Sequence, residues 1–205
     1  MSNVNSVAAE RKGFEFDWKQ GLRLGLSLFI ITAVAALVLA LVNAVTADTI
    51  AEHAAAQRQA AMVSVAPGAD VFSELYSEDN TIDGITGAYN GTSFVGYCVE
   101  VSPNGFGGPI SLMVGVDAGG SVTGVVILDH SETAGLGARA DSPDFLNQYI
   151  DKSGTITVNT GDNAIDALTG ATITSKAVTS GVNTALTAVL NYNAEGGQSP
   201  DEGND

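Results

Sequence analysis

Between Ile165 and Ser175 the chain reads IDALTGATITS. Three threonine hydroxyls, those of Thr169, Thr172 and Thr174, crowd a Gly170-Ala171 pair just ahead of a helix-like segment. A hydroxyl in such a place has two uses. It can cap a helix, its oxygen accepting a bond from one of the first free N–H groups. It can also be an attachment point, because the start of a helix favours an anion such as phosphate. A second stretch, DHSETAGLGARA from Asp129 to Ala140, is harder to explain by structure alone. Its Gly135-Leu136-Gly137 segment lets backbone N–H groups approach a ligand closely. It is neither a Walker loop nor a G-x-G-x-x-G fingerprint.

The rest of the inventory narrows the chemistry. One cysteine, Cys98, and two histidines, His53 and His130, are present. They cannot supply an iron–sulfur cluster, attached haem or a Cys/His zinc cage within one chain. No metal site and no catalytic residue is assigned. Cys98 lies in the strand-like run GYCVEV and reads as a small buried hydrophobe. A net charge of −15 repels phosphate backbones, so nucleic acid is not an expected partner.

These stretches must be positioned by the elements around them. From Leu24 to Val42 there is no charged residue. That run spans roughly 29 Å as a helix, close to the hydrocarbon thickness of a bilayer. A cleaved signal peptide is the competing reading, but its apolar region is usually shorter and starts earlier. Arg11, Lys12, Lys19 and Arg23 precede or open the span, and only Arg58, Arg139, Lys152 and Lys176 follow it. The positive-inside rule then places the N-terminus in the cytoplasm and the larger domain outside. All but three of the 23 acids lie from Asp48 onward.

The expected organisation is a short cytoplasmic N-terminus (1–20), a transmembrane helix (21–46) and a helical connector (47–66) ending near Pro67-Gly68. A domain over 67–190 and a disordered acidic tail over 191–205 complete it. Within the domain an acidic loop surrounds YSEDNTIDG. SFVGYCVEV, ISLMVGVD and SVTGVVILD are strands separated by glycine turns, and GTITVN is a further one. A short helix opens at Ser142-Pro143. From Thr174 the apolar positions Val178, Val182, Ala185, Leu186, Val189 and Leu190 have the period of an amphipathic helix.

Together the motifs resemble those of a known family. DALTGAT, from Asp166 to Thr172, is similar to the flavinylation motif D-x-x-[ST]-G-A-[ST] of covalent FMN-binding domains. HSETAGLG is similar to their H-x-E-T-P-G-L-G segment, with Ala134 where proline is usual. GFGGPISLMVGVD is similar to the hairpin that precedes it. The likeness is strongest to the G subunit of Rnf electron-transport complexes and covers nearly the whole chain. It implies an α+β fold: one N-terminal transmembrane helix, then a single extracytoplasmic FMN-binding domain with a mainly antiparallel sheet flanked by helices.

The resemblance further implies FMN held covalently through a phosphoester to Thr172, made by a separate flavin transferase that uses FAD. Asp166, Thr169, Gly170 and Ala171 are then recognition and fitting residues. Thr174 and Ser175 are the other candidate hydroxyls, for attachment or for the phosphate. Glu132, Thr133, Gly135 and Leu136 are candidates to line the flavin ring. His130 reads as packing beside the loop, and Lys176 as either a phosphate counter-charge or a solvated surface lysine. The implied function is an electron relay, with no turnover by the isolated chain, in a membrane complex moving electrons between ferredoxin and NAD+ and pumping Na+ or H+. The alternatives are the C subunit of the Na+-translocating NADH:quinone reductase and an anchored binding or sensory protein without a redox cofactor.

Overall fold

A computed structural model describes residues 18–75 and 82–194 of the chain. Most of the expected N-terminal segment, the core of the acidic loop and residues 195–205 of the expected tail lie outside the described residues.

The first element is helix α1, Trp18–Val65. From Leu22 to Ala47 every residue is exposed, including Phe29, Ile31, Leu37 and Leu39. A helix surface this apolar, uncovered by its own chain, is long enough to cross a membrane. The chain divides into two compact units, the second beginning at His53.

Within that second unit, five strands form an antiparallel meander in sequential order: β1 Val71–Leu75, β2 Gly84–Asn90, β3 Ser93–Val101, β4 Ile110–Asp117 and β5 Val122–His130. β1 is an addition to the sequence reading, which ran a loop through this stretch. VFSEL shows little alternation of its own, and its backbone pairing with β2 from Ile85 to Tyr89 decides the matter.

The central strands are apolar on both faces, and the pleat sorts their side chains with a period of two. Val99 and Val101 on β3, with Leu112, Val114 and Val116 on β4, face the main core. Cys98 and Met113 face the opposite way into a second, smaller core. The thiol of Cys98 is pushed up to about 12 by burial, as expected for a structural cysteine.

The long C-terminal helix α3, Thr172–Ala194, closes the main core with Val178, Val182, Ala185, Leu186 and Val189. Two sequence expectations need correction here. Leu190 is 58% exposed and lies off the buried stripe. The expected tail also begins too early, because the helix runs on through Asn191–Ala194. Tyr97 holds that last turn: its ring meets Tyr192 edge-on at 5.9 Å, and its hydroxyl donates to Asn193 Oδ1 at 2.5 Å.

The smaller core is capped by the last three turns of α1. Ala61, Val65 and Ala66 are buried there, with Met62 against them. Gln57 Nε2 donates to the Leu128 carbonyl at 2.7 Å, and Arg58 pairs with Glu100 at 3.0 Å. Gly115 and Gly124 face each other across β4 and β5. A Cβ at Gly115 would strike the Val65 carbonyl, and one at Gly124 would press on Val65 Cα. The paired glycines form a notch for the helix end, and Thr123 Oγ1 donates to the same carbonyl.

After β5 come a 3-10 turn at Gly137–Asp141, the short helix α2 at Pro143–Leu146 and a second 3-10 turn at Asn147–Tyr149. The expected strand GTITVN shrinks to β6, Thr157–Val158, which pairs in parallel with β7, Ala164–Ile165. Asn159 has φ +63°, a left-handed conformation that ends the strand at once.

Candidate functional site

β7 delivers the chain into the DALTGAT stretch, and side chains from elsewhere pin its backbone. Asp166 N–H donates to Gln148 Oε1 at 2.7 Å, and Ala167 N–H donates to Asn159 Oδ1 at 2.7 Å. Leu168 N–H donates to Ser175 Oγ at 3.0 Å, and Ala171 N–H donates to the Leu168 carbonyl at 2.9 Å. Gly170 sits at φ +80°, where a side chain is strained, and this conformation turns the chain into α3.

The first intrahelical bond of α3 runs from Ser175 N–H to the Ala171 carbonyl. Ala171 is therefore the cap residue, and alanine offers no side-chain oxygen. The N–H groups of Thr172, Ile173 and Thr174 precede the first helical donor. An uncapped start of this kind gives up about 1 kcal/mol of helix stability and leaves donors for an external anion.

The four hydroxyls of the stretch have different fates. Thr169 and Thr172 are exposed. Thr174 is 1% exposed, and its hydroxyl donates to Glu132 Oε2 at 2.5 Å. Ser175 is fully buried, donates to the Ala171 carbonyl and accepts from Leu168. The side chains of Thr174 and Ser175 are thus committed within the domain.

Glu132 joins this helix start to two loops. Its Oε1 accepts the amides of Phe106 and Gly107, each at 2.8 Å, while Oε2 takes the Thr174 hydroxyl. Gly137 makes this approach possible, since a Cβ there would strike the Glu132 carboxylate and lie 2.8 Å from Thr174 Oγ1. His130 Nδ1 accepts the Glu132 N–H at 3.3 Å, which supports the loop-packing reading of that histidine.

Burial pushes the Glu132 carboxyl up, but the Thr174 hydroxyl, the two amides and His130 outweigh it, and the net direction is down. The folded state therefore holds the ionised form better than the unfolded chain does. The stabilisation is complete above the ordinary carboxylate value of about 4.3 and is lost as pH falls through the lower native value. Glu132→Gln should cost roughly 1–3 kcal/mol near neutrality. Urea unfolding of both proteins from about pH 6 to about pH 3 should show that gap narrowing as the medium becomes acidic. A gap independent of pH would remove the ionised carboxylate from the account.

Around this hub lies a cavity of about 380 Å³. Thr133, Leu136 and Gly137 bring the HSETAGLG loop to it, beside Glu132. Gly170, Ala171, Thr172, Ile173 and Thr174 bring the helix start, and Phe106 brings the GFGGP turn. Of the residues expected from sequence, Asp166, Thr169, Gly135 and Ser175 do not line it. Phe106, Gly137 and Ile173 do, and were not expected. Phe106 and Ile173 are 70% and 56% exposed, and a large apolar residue beside a glycine turn or at a helix start is the signal that could have found them.

The volume lies within the usual range for small-molecule sites. The walls from Phe106, Leu136, Ala171 and Ile173 suit a flat aromatic ring, and Thr172 with the free N–H groups suits a phosphate. These residues fit FMN. Lys176 is exposed one turn beyond Thr172 and does not line this cavity.

Known proteins resemble this chain over most of its length. Residues 105–187 match the FMN-binding domain family, and residues 17–65 match the RnfG N-terminal region. The chain is 38% identical over 199 residues to the G subunit of the Na+-translocating ferredoxin:NAD+ oxidoreductase complex of Acetobacterium woodii, covering 86% of this chain and 95% of that one. It is 33% identical over 180 residues to the G subunit of the ion-translocating oxidoreductase complex of Methanosarcina acetivorans, covering 83% and 95%. Among solved structures, the C subunit of the Na+-translocating NADH-quinone reductase from Parabacteroides distasonis overlays with a TM-score of 0.47 at 23% identity, over 53% of this chain and 61% of that one. The chain belongs to the RnfG family, the G subunits of ion-translocating ferredoxin:NAD+ oxidoreductase (Rnf) complexes, and it carries that family's FMN-binding domain.

Proposed function

We propose that this chain is a membrane-anchored electron relay whose outer domain carries FMN esterified to Thr172. One observation carries the reading. Thr172 is an exposed hydroxyl at the uncapped start of α3, on a cavity that this helix start forms with two glycine-containing loops; Thr133, the other exposed hydroxyl on the wall, stands on a loop and not at a helix start. Thr174, two residues on, is buried and bonded to Glu132, which leaves it a poor acceptor. FMN supplies reversible electron uptake. The chain supplies the hydroxyl, the phosphate-facing N–H groups and the apolar walls.

An unactivated threonine is a weak nucleophile, so attachment belongs to a flavin transferase. Thr172 Oγ1 forms the new bond to the FMN-side phosphorus of FAD, AMP leaves, and the hydroxyl proton passes to a base on the transferase. The Asp166 side chain is exposed, as a residue read by another protein would be. The electrons come from, and go to, other members of the complex between ferredoxin and NAD+, with Na+ or H+ translocation.

The exposed apolar stretch of α1 acts as the anchor, with the basic N-terminal flank in the cytoplasm and the acidic domain outside. Protease added to intact spheroplasts should then degrade the domain from residue 53 onward. A protected domain, or a mature N-terminus at Asp48, would overturn this topology. Purified protein from cells that hold the transferase should fluoresce as flavin after denaturation in a gel, and a dark band would count against the relay.

A further inference from the structure

Glu132 does more for the cavity than its architecture needs. It is 9% exposed, and its hydrogen-bond partners are the Phe106 and Gly107 amides and the Thr174 hydroxyl, all neutral donors. A glutamine would keep the three segments joined, through bonds weakened by the loss of charge assistance. Its carbonyl would accept both amides, and its NH2 would donate to Thr174 Oγ1, whose own proton must then turn to another acceptor. The geometry of the three segments therefore does not require a negative charge, and a charge in a half-enclosed site has a desolvation cost. The charge nevertheless stands on the cavity wall, beside Thr172 and the apolar residues.

We propose that Glu132 is the fixed anion that holds the reduction potential of the flavin low. The proposal rests on the reading that the cavity receives the ring of FMN attached at Thr172. Full reduction adds two electrons and one proton to the ring, so the ring gains one negative charge. A carboxylate held on the cavity wall opposes that charge, and it does so more strongly in a water-poor cavity than in bulk solvent. A low potential suits a relay that takes electrons from a strong reductant such as ferredoxin. Glu132 acts without exchanging a proton or touching the reacting electrons, so its role is to set the field.

The test is a spectroelectrochemical titration of the full chain in detergent, flavinylated in cells that hold the transferase. Dithionite supplies the electrons and solvent supplies the proton. Glu132→Gln should retain covalent flavin and shift the midpoint upward. Thr174→Val keeps the carboxylate and removes one of its donors, so its midpoint should stay at or below that of the wild type. A purely architectural role predicts otherwise, because both variants loosen the same junction and would move the midpoint in the same direction. An unchanged or lowered midpoint for Glu132→Gln overturns the proposal. If Glu132→Gln fails to take up flavin, Thr174→Val decides: a raised midpoint overturns the proposal, and an unchanged or lowered one supports it. Absence of covalent flavin on the wild-type chain would be seen in the gel before any titration, and it would strike the underlying reading instead.

Discussion

Thr172→Val should abolish covalent flavin while leaving the domain folded. Valine keeps the shape of threonine and removes the one atom able to form the phosphoester. Thr172 is exposed, its hydroxyl caps nothing within the domain, and surface changes of this kind stay within about 0.5 kcal/mol. Gel fluorescence should fall to background and the thermal midpoint should hold. Thr172→Ser should restore the fluorescence, since serine offers the same nucleophile. Thr174→Val is the informative contrast. It strips a buried hydrogen bond from Glu132 and should lower stability by about 1–3 kcal/mol, yet it should still carry flavin. A fluorescent Thr172→Val chain would refute the assignment.

The second large effect concerns where the folded domain begins. A fragment starting at residue 67 lacks Ala61, Met62, Val65 and Ala66, and it opens the smaller core at Ala88, Cys98 and Met113. It also empties the Gly115–Gly124 notch and leaves the Thr123 hydroxyl without the Val65 carbonyl. Burial of a large apolar side chain is worth about 1.5–3 kcal/mol, so the loss comes to several kcal/mol. That is a large part of the 5–15 kcal/mol typical of a whole domain. At roughly 3 °C per kcal/mol for a domain of this size, the thermal midpoint should fall by about 10–20 °C against a fragment starting at residue 53. Equal midpoints for the two fragments would show that the helix end is dispensable.

The parts of this arrangement legible in sequence were those with a period or a motif. The uncharged run from Leu24, the strands of β3 to β5 and the buried stripe of α3 each carry a strong local pattern. The motif residues Glu132, Leu136, Gly170, Ala171 and Thr172 share one cavity, although the chain between them holds two 3-10 turns, a helix and two strands. What stayed hidden depends on partners distant in sequence. β1 exists because β2 pairs with it. Asn191–Ala194 stay helical because Tyr97 reaches them from the sheet. The commitment of Thr174 and Ser175 to internal hydrogen bonds is invisible in IDALTGATITS, where four hydroxyls look alike. Phe106 joins the cavity only because Glu132 draws the amides of its turn inward, a contact no spacing rule reports.

The most direct measurement is the mass of one peptide. Trypsin should release Ser153–Lys176 from the chain purified out of cells that hold the transferase, since Lys152 and Lys176 bracket the motif. The account predicts that this peptide carries the added mass of FMN joined with loss of water, and that fragment ions place it on Thr172. The same mass on Thr174 or Thr169, or an unmodified peptide whose flavin washes away on denaturation, would contradict it.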